Sequence, residues 1–391
     1  METNLSQNKR AIFWLAGGHF VNDIYTGMLN PIMPFIAVKI GISMAIATVI
    51  LTVSHIFSSL LQPVIGYFAD NSYHRFMIFW GLLFSSIFIP LTGISDGIGT
   101  LILCIIIGSI GSSLFHPQAL GLASKFSKGL DGVKAISIFM AMGTLGYSIG
   151  PIMSAGITQF FGMDKMSALT IFGIFWAILM FKFVPKLSTY EEIKEKIHFR
   201  KAFKDILSNH KLNILNVIAM LKTVVQSSCF ILLPFLWKSI GHKPFYIGLA
   251  LFMFIFAGGI GSLISSFVEK RIGAKNVFYL SMISTLPMML LFILTYKDFP
   301  ILSLVIFVIM GCVTMMATPL TMLMAQNVLP EYKSIISGFI NGFSWGIIAI
   351  IMSALGFVAE KFGITNVLLG VAIIPAIASV PLIRTLFNHA I

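Results

Sequence analysis

Two ionisable residues lie inside otherwise apolar segments of this chain, Asp23 in the first long hydrophobic stretch and Lys222 in the seventh. A charge at the centre of a bilayer costs about 3 kcal/mol on insertion scales, so such residues usually face a polar cavity or a partner. A carboxylate there can exchange a proton, and an ammonium can attract an anion. We interpret Asp23 as a proton carrier and Lys222 as the counter-charge of an anionic substrate. The alternative is a buried ion pair that only fixes helix packing.

Further polar side chains recur at helical spacing around both charges. His19 and Asp23 are four residues apart and therefore share one face of a helix, and Lys222 and Gln226 repeat this spacing. We predict that His19 and His116 assist Asp23 in proton coupling. The candidate substrate-binding residues are Lys222, Gln226, Asn22, Tyr25, His55, Gln62, Gln118, Asn327 and Asn341.

Other chemistries lack the residues that they need. His19, His55 and His116 could converge on Asp23, but no two of these histidines share metal-ligand spacing on one helix, so we predict no metal site. The sequence contains no phosphate-binding Walker loop, no nucleophile elbow and no His-Glu-x-x-His helix. We therefore expect no cofactor, and neither an ATP-driven pump nor an enzyme.

The elements that carry these residues must be membrane helices. The 391 residues are 57% hydrophobic and only 10% charged, whereas soluble domains carry about 25% charged residues. Apolar blocks of about 20 residues match the length that a helix needs to cross roughly 30 Å of hydrocarbon. We predict an all-α polytopic membrane protein with about twelve transmembrane helices. The predicted spans are 11–37, 43–69, 76–95, 99–123, 134–160, 166–184, 210–237, 244–268, 276–295, 300–326, 333–358 and 364–387.

The distribution of basic residues predicts the orientation of these spans. If the N-terminus is cytoplasmic, 19 of the 26 Lys and Arg lie on the cytoplasmic side, 6 lie on the other side, and Lys222 lies within a span. Basic residues are retained in the cytoplasm, so we place both termini there, in a bacterial inner or plasma membrane. The net charge of +12 follows from this bias and suits contact with anionic lipids; we expect no nucleic-acid partner.

The sequence also indicates an internal duplication. A shift of 200 residues aligns Pro34–Phe35 with Pro234–Phe235, and a shift of 202 aligns His116 with Thr318. Matches that hold nearly one offset through several spans favour two repeats of six helices. The predicted division is an N-terminal six-helix half (1–184), a cytoplasmic linker (185–209) and a C-terminal six-helix half (210–391).

The duplication relates the two buried charges to each other. Under the shift of 200 residues Lys222 falls on Asn22, next to Asp23. Transporters built from repeats place their substrate and coupling-ion sites near the bilayer midplane, where the repeats meet. We therefore expect both charges to line one central cavity.

Two local patterns of glycine, proline and charged residues stand out. The first is Gly66, Asp70 and Arg75, after the second span, and the second is Gly146, Gly150 and Pro151, in the fifth span. The first resembles the loop motif of the major facilitator superfamily, and the resemblance implies a gating role for it. The second is similar to the glycine-proline motif of antiporters in that superfamily.

The chain resembles one group of that superfamily more closely. Residues Gly18–Tyr25 in the first span and Phe115–Pro117 in the fourth are similar to the fosmidomycin-resistance group of drug efflux proteins. That group tends to carry an acidic residue after His-Pro, where this chain has Gln118, which leaves Asp23 with more of the proton-carrying role. The resemblance implies the major facilitator fold, proton-coupled efflux and a monomer.

We therefore predict a secondary active transporter that exchanges protons for a small anionic compound by alternating access, its two halves rocking around the central cavity. A phosphonate drug such as fosmidomycin is the candidate substrate that the resemblance implies. Two alternatives stay open: an exporter of a polycarboxylate metabolite or siderophore, and an uncoupled facilitator or importer in which the buried charges serve gating alone.

Overall fold

The structure, a computed structural model, describes residues 2–62, 65, 75–127, 132–185 and 199–388. Within these ranges the chain forms helices joined by short connections, and no strand is present. The helices are α1 (Glu2–Gly27), α2 (Leu29–Ile40), α3 (Met44–His55), α4 (Arg75–Leu91), α5 (Ile98–Phe126), α6 (Gly132–Phe160), α7 (Leu169–Phe183), α8 (Phe199–Ser208), α9 (His210–Ile231), α10 (Leu233–Ser239), α11 (Pro244–Ile272), α12 (Ala274–Ile283), α13 (Thr285–Thr295), α14 (Pro300–Met315), α15 (Ala317–Val328), α16 (Lys333–Ser337), α17 (Ser344–Phe362) and α18 (Ile364–Asn388). The prediction of an all-α polytopic protein is confirmed.

Ten helical stretches in the described residues are long and apolar enough to cross a membrane, from Phe76–Ile94 to Ile364–Asn388. They coincide with ten of the twelve predicted spans. The predicted span 11–37 covers most of α1 and α2, which the break at Met28 separates, and it includes the polar residues His19, Asn22 and Asp23. The predicted span 43–69 contains the shorter apolar helix Met44–Leu60, and its end lies partly outside the described residues.

Prolines break the first helix of each predicted half. The break between α1 and α2 lies at Met28, shortly before Pro31, and the break between α9 and α10 lies at Leu232, shortly before Pro234. A proline has no backbone N–H and cannot continue the helical hydrogen-bond ladder. Interrupted membrane helices of this kind often carry the binding sites of transporters built from repeats.

The helices pack into two compact units, which we describe separately. The N-terminal unit comprises Met1–Ile42, Val53–Lys196 and Lys243–Gly248. The C-terminal unit comprises Ser43–Thr52, Ile197–His242 and Leu249–Ile391. Each unit therefore includes the first turns of one helix from the other part of the sequence. The division at the repeats, into 1–184, 185–209 and 210–391, stays a prediction.

Glycines allow α1 and α6 to pack closely in the N-terminal unit. A Cβ at Gly146 would collide with the Phe20 carbonyl oxygen, and a Cβ at Gly150 would collide with the Ile24 carbonyl oxygen. The two backbones can therefore approach only because these positions carry no side chain. The antiporter-like motif, which includes Pro151 within α6, forms this packing face.

Two helices are capped at their N-termini by side chains that are distant in sequence. In the C-terminal unit the Ala45 amide, at the start of α3, donates to Glu360 Oε2 on α17 at 2.7 Å. In the N-terminal unit the Phe245 amide, at the start of α11, donates to Gln159 Oε1 on α6 at 3.0 Å. Each acceptor satisfies an amide that has no partner in its own helix. The two pairs are related by shifts of 200 and 201 residues, close to the shift found in the sequence.

Candidate functional site

The N-terminal unit brings the three predicted proton-coupling residues into contact. His19 and Asp23 lie one turn apart on α1, with His19 Nε2 3.2 Å from Asp23 Oδ2. His116 projects from α5, and its Nε2 lies 3.0 Å from Asp23 Oδ1. Both carboxylate oxygens of Asp23 therefore face an imidazole nitrogen. We call His19, Asp23 and His116 the acid–base cluster.

The second nitrogen of each imidazole is bonded to the backbone. His19 Nδ1 lies 2.9 Å from the Phe139 carbonyl oxygen on α6, and the His19 ring stacks on Phe139 with centroids 4.3 Å apart. His116 Nδ1 lies 2.9 Å from the carbonyl oxygen of Ser112, one turn earlier on α5. These contacts fix the orientation of both rings toward Asp23.

A buried pair of neutral side chains holds the carboxylate from another side. Asn22 Nδ2 donates to Asp23 Oδ1 at 3.1 Å, and the Ser85 hydroxyl on α4 donates to Asn22 Oδ1 at 2.9 Å. Asn22 and Ser85 are fully buried. The sequence predicts Asn22 as a substrate-binding residue, and its amide is bonded within this network. Ser85 was missed, because one serine in an apolar span carries no signal of its own.

Three further predicted binding residues of the N-terminal unit bond to other groups. The Tyr25 hydroxyl donates to the Leu169 carbonyl oxygen at 2.7 Å. Gln62 Nε2 donates to the carbonyl oxygen of Ser58, one turn before it, at 2.6 Å. Gln118 is fully buried; its Nε2 donates to Met77 Sδ at 3.1 Å, whereas among the described residues its Oε1 has no hydrogen-bond partner.

His55 lies at the end of α3, immediately before a π-helical turn, Ile56–Leu60. A π turn widens the helix by one residue and often marks a functional position. The imidazole is partly buried. His55 therefore stays a predicted binding residue at a helix irregularity.

The C-terminal unit buries Lys222 beside two polar groups. Lys222 Nζ, on α9, donates to Thr318 Oγ1, on α15, at 2.7 Å. Gln226 lies one turn further along α9, and its buried Nε2 has no hydrogen-bond partner among the described residues. No carboxylate of those residues lies within 4.0 Å of Lys222 Nζ. We call Lys222, Gln226 and Thr318 the donor cluster.

The two clusters occupy corresponding positions of the predicted duplication. Asp23 and His116 lie on the first and fourth predicted spans, and Lys222 and Thr318 lie on the seventh and tenth. The sequence shift that aligns His116 with Thr318 could therefore have identified Thr318 as a site residue. A single threonine on an apolar helix gave no reason to choose it.

The remaining predicted site residues lie elsewhere or outside the described residues. Asn327 is exposed near the end of α15. The side chain of Asn341 is outside the described residues, although its backbone belongs to a π-helical stretch. Gly66 and Asp70 also lie outside the described residues. Arg75 begins α4, and its side chain is likewise not described.

The acid–base cluster also contains ligand types that bind metals. One donor atom from each of His19, Asp23 and His116 can be chosen so that all three lie within 4.8 Å of one another. Spacing along one helix could not indicate this convergence, because His116 comes from a second helix. The absence of a metal site stays a prediction.

Comparisons with known proteins identify the family to which this chain belongs. A family model described as Major Facilitator Superfamily matches residues 15–352 and 218–390. The Fosmidomycin resistance protein of Escherichia coli (strain K12) is 26% identical over 354 residues, which cover 88% of this chain and 85% of that protein. The uncharacterized MFS-type transporter YfnC of Bacillus subtilis (strain 168) is 23% identical over 370 residues, with coverage of 92% and 88%.

Solved structures share the same fold. A crystal structure of the nucleoside transporter NupG superposes with a TM-score of 0.75 at 16% sequence identity, and the match covers 97% of this chain and 100% of that chain. A likeness at this identity concerns the fold alone. The helices, the family match across most of the chain and the related transporters agree: this chain is a multi-pass membrane protein of the major facilitator superfamily, a transporter and not an enzyme.

Proposed function

We propose that this transporter exports a small anionic compound in exchange for protons, by alternating access. The observation that carries the proposal is the division of charge between the two units. The N-terminal unit holds a carboxylate between two imidazoles, and the C-terminal unit holds a buried ammonium with no carboxylate partner among the described residues. Ion-coupled transport requires both a coupling ion and a substrate, and the two clusters have the chemistry for one each.

The acid–base cluster suits proton coupling. A buried carboxylate can lose and regain a proton when solvent reaches it, and imidazole is the side chain that titrates most readily near neutral pH. Asp23 is only 9% exposed and His19 only 5%, so proton exchange depends on access from solvent. Because Gln118 cannot titrate, Asp23 is the proton carrier in this proposal, with His19 and His116 as its partners.

The donor cluster suits an anion. The ammonium of Lys222 has three N–H donors, of which Thr318 accepts one, and Gln226 Nε2 offers another two. Charge-assisted hydrogen bonds from such groups bind carboxylates and phosphonates strongly. An anionic group of the substrate would compensate the buried charge of Lys222, which has no carboxylate partner in the part of the chain that the structure describes.

The substrate class is narrowed by the relatives and the donors together. A phosphonate is favoured because a relative across most of the chain is named for fosmidomycin resistance. A polycarboxylate metabolite or siderophore would fit the same N–H donors.

We further propose that the protein is a monomer in the bacterial inner or plasma membrane, with both termini in the cytoplasm.

Reconstituted vesicles test the coupling. Fosmidomycin and citrate serve as phosphonate and polycarboxylate probes, and uptake into inverted vesicles is followed with and without a pH gradient. We expect transport of one probe to collapse when the gradient is dissipated, and in Asp23→Asn and Lys222→Ala. Matched controls are Asp164→Asn and Lys361→Ala, which change exposed charges of the same types. Gradient-independent transport that Asp23→Asn leaves intact would instead indicate an uncoupled facilitator.

A further inference from the structure

We infer that the acid–base cluster binds two protons, one between Asp23 and each imidazole. This inference deepens the proposed function and rests on it, because the proposed coupling ion is the proton. It specifies how many protons the site holds and which atoms hold them. The number of protons follows from the hydrogen-bond partners of His19 and His116 in the N-terminal unit.

The backbone contacts determine which nitrogen of each ring carries a permanent hydrogen. A carbonyl oxygen can only accept a hydrogen bond. His19 Nδ1 faces the Phe139 carbonyl oxygen, and His116 Nδ1 faces the Ser112 carbonyl oxygen, each at 2.9 Å. We therefore assign both Nδ1 atoms as donors; the Ser112 hydroxyl, 3.2 Å from His116 Nδ1, can accept in that arrangement because its own hydrogen rotates. In the neutral form of each ring, the hydrogen-free nitrogen is then Nε2, which points at Asp23.

The contacts with Asp23 consequently need additional hydrogens. Without a proton, the lone pair of each Nε2 would face a lone pair of a carboxylate oxygen at 3.0–3.2 Å, which is repulsive. One proton removes this repulsion in one contact only. The two contacts use different oxygens, Oδ2 for His19 and Oδ1 for His116. The geometry therefore contains two separate proton positions.

The described surroundings of the cluster add one further titratable group. Tyr147, on α6, interacts electrostatically with Asp23, and α4 contributes the neutral Ser85 through Asn22. With both positions filled, the cluster carries one positive charge. With both empty, it carries one negative charge. Loading the site thus changes its charge by two units.

Nitrogen-15 NMR of the histidine rings tests this inference without any substrate. The chain contains eight histidines, and His19→Gln and His116→Gln identify the two signals in the full-length protein in detergent micelles. We expect both rings to be the Nδ1–H tautomer when neutral, and both to gain a second proton on Nε2 as the pH falls. We expect one remaining titrating ring of the cluster in either Gln variant, because Gln keeps a donor but cannot titrate. His210→Gln, an exposed position, should leave both signals unchanged.

Two results of the NMR experiment would contradict the two-proton inference. An Nε2–H tautomer for either neutral ring, or a second proton on only one ring over the whole titration, would overturn the inference. The inference would also be overturned if the purified protein contained one Zn²⁺ per chain and neither ring titrated. A metal cation would then occupy the two proton positions. Failure of the vesicle experiment has a different meaning: if the rings titrate as expected and no proton flux accompanies transport, the proposed coupling fails and the two-proton site remains.

Discussion

Gly143 determines where the His19 ring can lie. A Cβ at this position would overlap the imidazole, so the ring occupies space that any other residue would fill. The same ring stacks on Phe139, one turn earlier on α6. At the scale of single residues, the geometry of the acid–base cluster therefore depends on the absence of a side chain at Gly143 as well as on His19, Asp23 and His116.

We predict that Gly143→Ala displaces His19 and lowers the stability of the folded protein by about 1–3 kcal/mol, the usual cost of overpacking a buried site. The unfolding temperature in detergent measures the loss. A shift in the pH dependence of transport measures the displacement of His19, which a purely structural effect would not cause.

Gly156→Ala is the matched control on the same helix. Its Cβ would meet Phe245 atoms at an ordinary 3.6 Å, and alanine favours a helix over glycine by about 1 kcal/mol. We therefore expect unchanged or slightly raised stability. Equal losses in both variants would mean that Gly143 has no specific relation to His19.

How much of this cluster could be predicted depends on the origin of each contact. The pairing of His19 with Asp23 follows from helical spacing, so the sequence alone indicates it. The contact with His116 depends on how α5 packs against α1, which local spacing does not contain. The carbonyl oxygen of Phe139 carries no side-chain signal at all, although it orients the ring.

At the scale of helices, the capped N-termini of α3 and α11 are the most informative elements. Each cap is a side chain from a helix far away in the sequence, so it links a helix start to its packing partner. The shift between predicted repeats gave no indication of either bond. Glu and Gln are not the usual capping residues at a helix start, and neither is a local neighbour of the helix that it caps.

We predict that Glu360→Ala and Gln159→Ala each lower the free energy of unfolding by about 1 kcal/mol, the typical cost of losing a cap. Glu360→Gln keeps an acceptor oxygen and should retain most of the stability. Chemical or thermal unfolding in detergent measures these differences. If Glu360→Gln is as unstable as Glu360→Ala, the charge matters and the hydrogen bond to Ala45 does not.

At the scale of the whole molecule, two helices belong to both units. The boundary falls between Thr52 and Val53 in α3, and between Gly248 and Leu249 in α11. The sequence halves and the packing units therefore differ by two short exchanged segments. Hydropathy identified most of the membrane helices, because length and apolar composition are local properties. It could not identify the exchange, which depends on tertiary contacts.

The orientation in the membrane can be tested by labelling single cysteines. Cys104, Cys229 and Cys312 are first replaced by serine, and Lys201→Cys and Lys361→Cys are then introduced at exposed positions. The excess of basic residues on one side predicts that an impermeant maleimide labels position 361 in intact cells and position 201 only after permeabilisation. The reverse pattern would place both termini outside and would contradict the proposed orientation.

The caps at Ala45 and Phe245 have a consequence for measuring conformational change. An amide in the first turn of a helix normally exchanges its hydrogen with water quickly, because it has no partner in its own helix. Here each of these amides is held by a side chain from another helix. Deuterium uptake at these two backbone amides therefore reports the contacts of α3 with α17 and of α11 with α6. The measurement needs no added label.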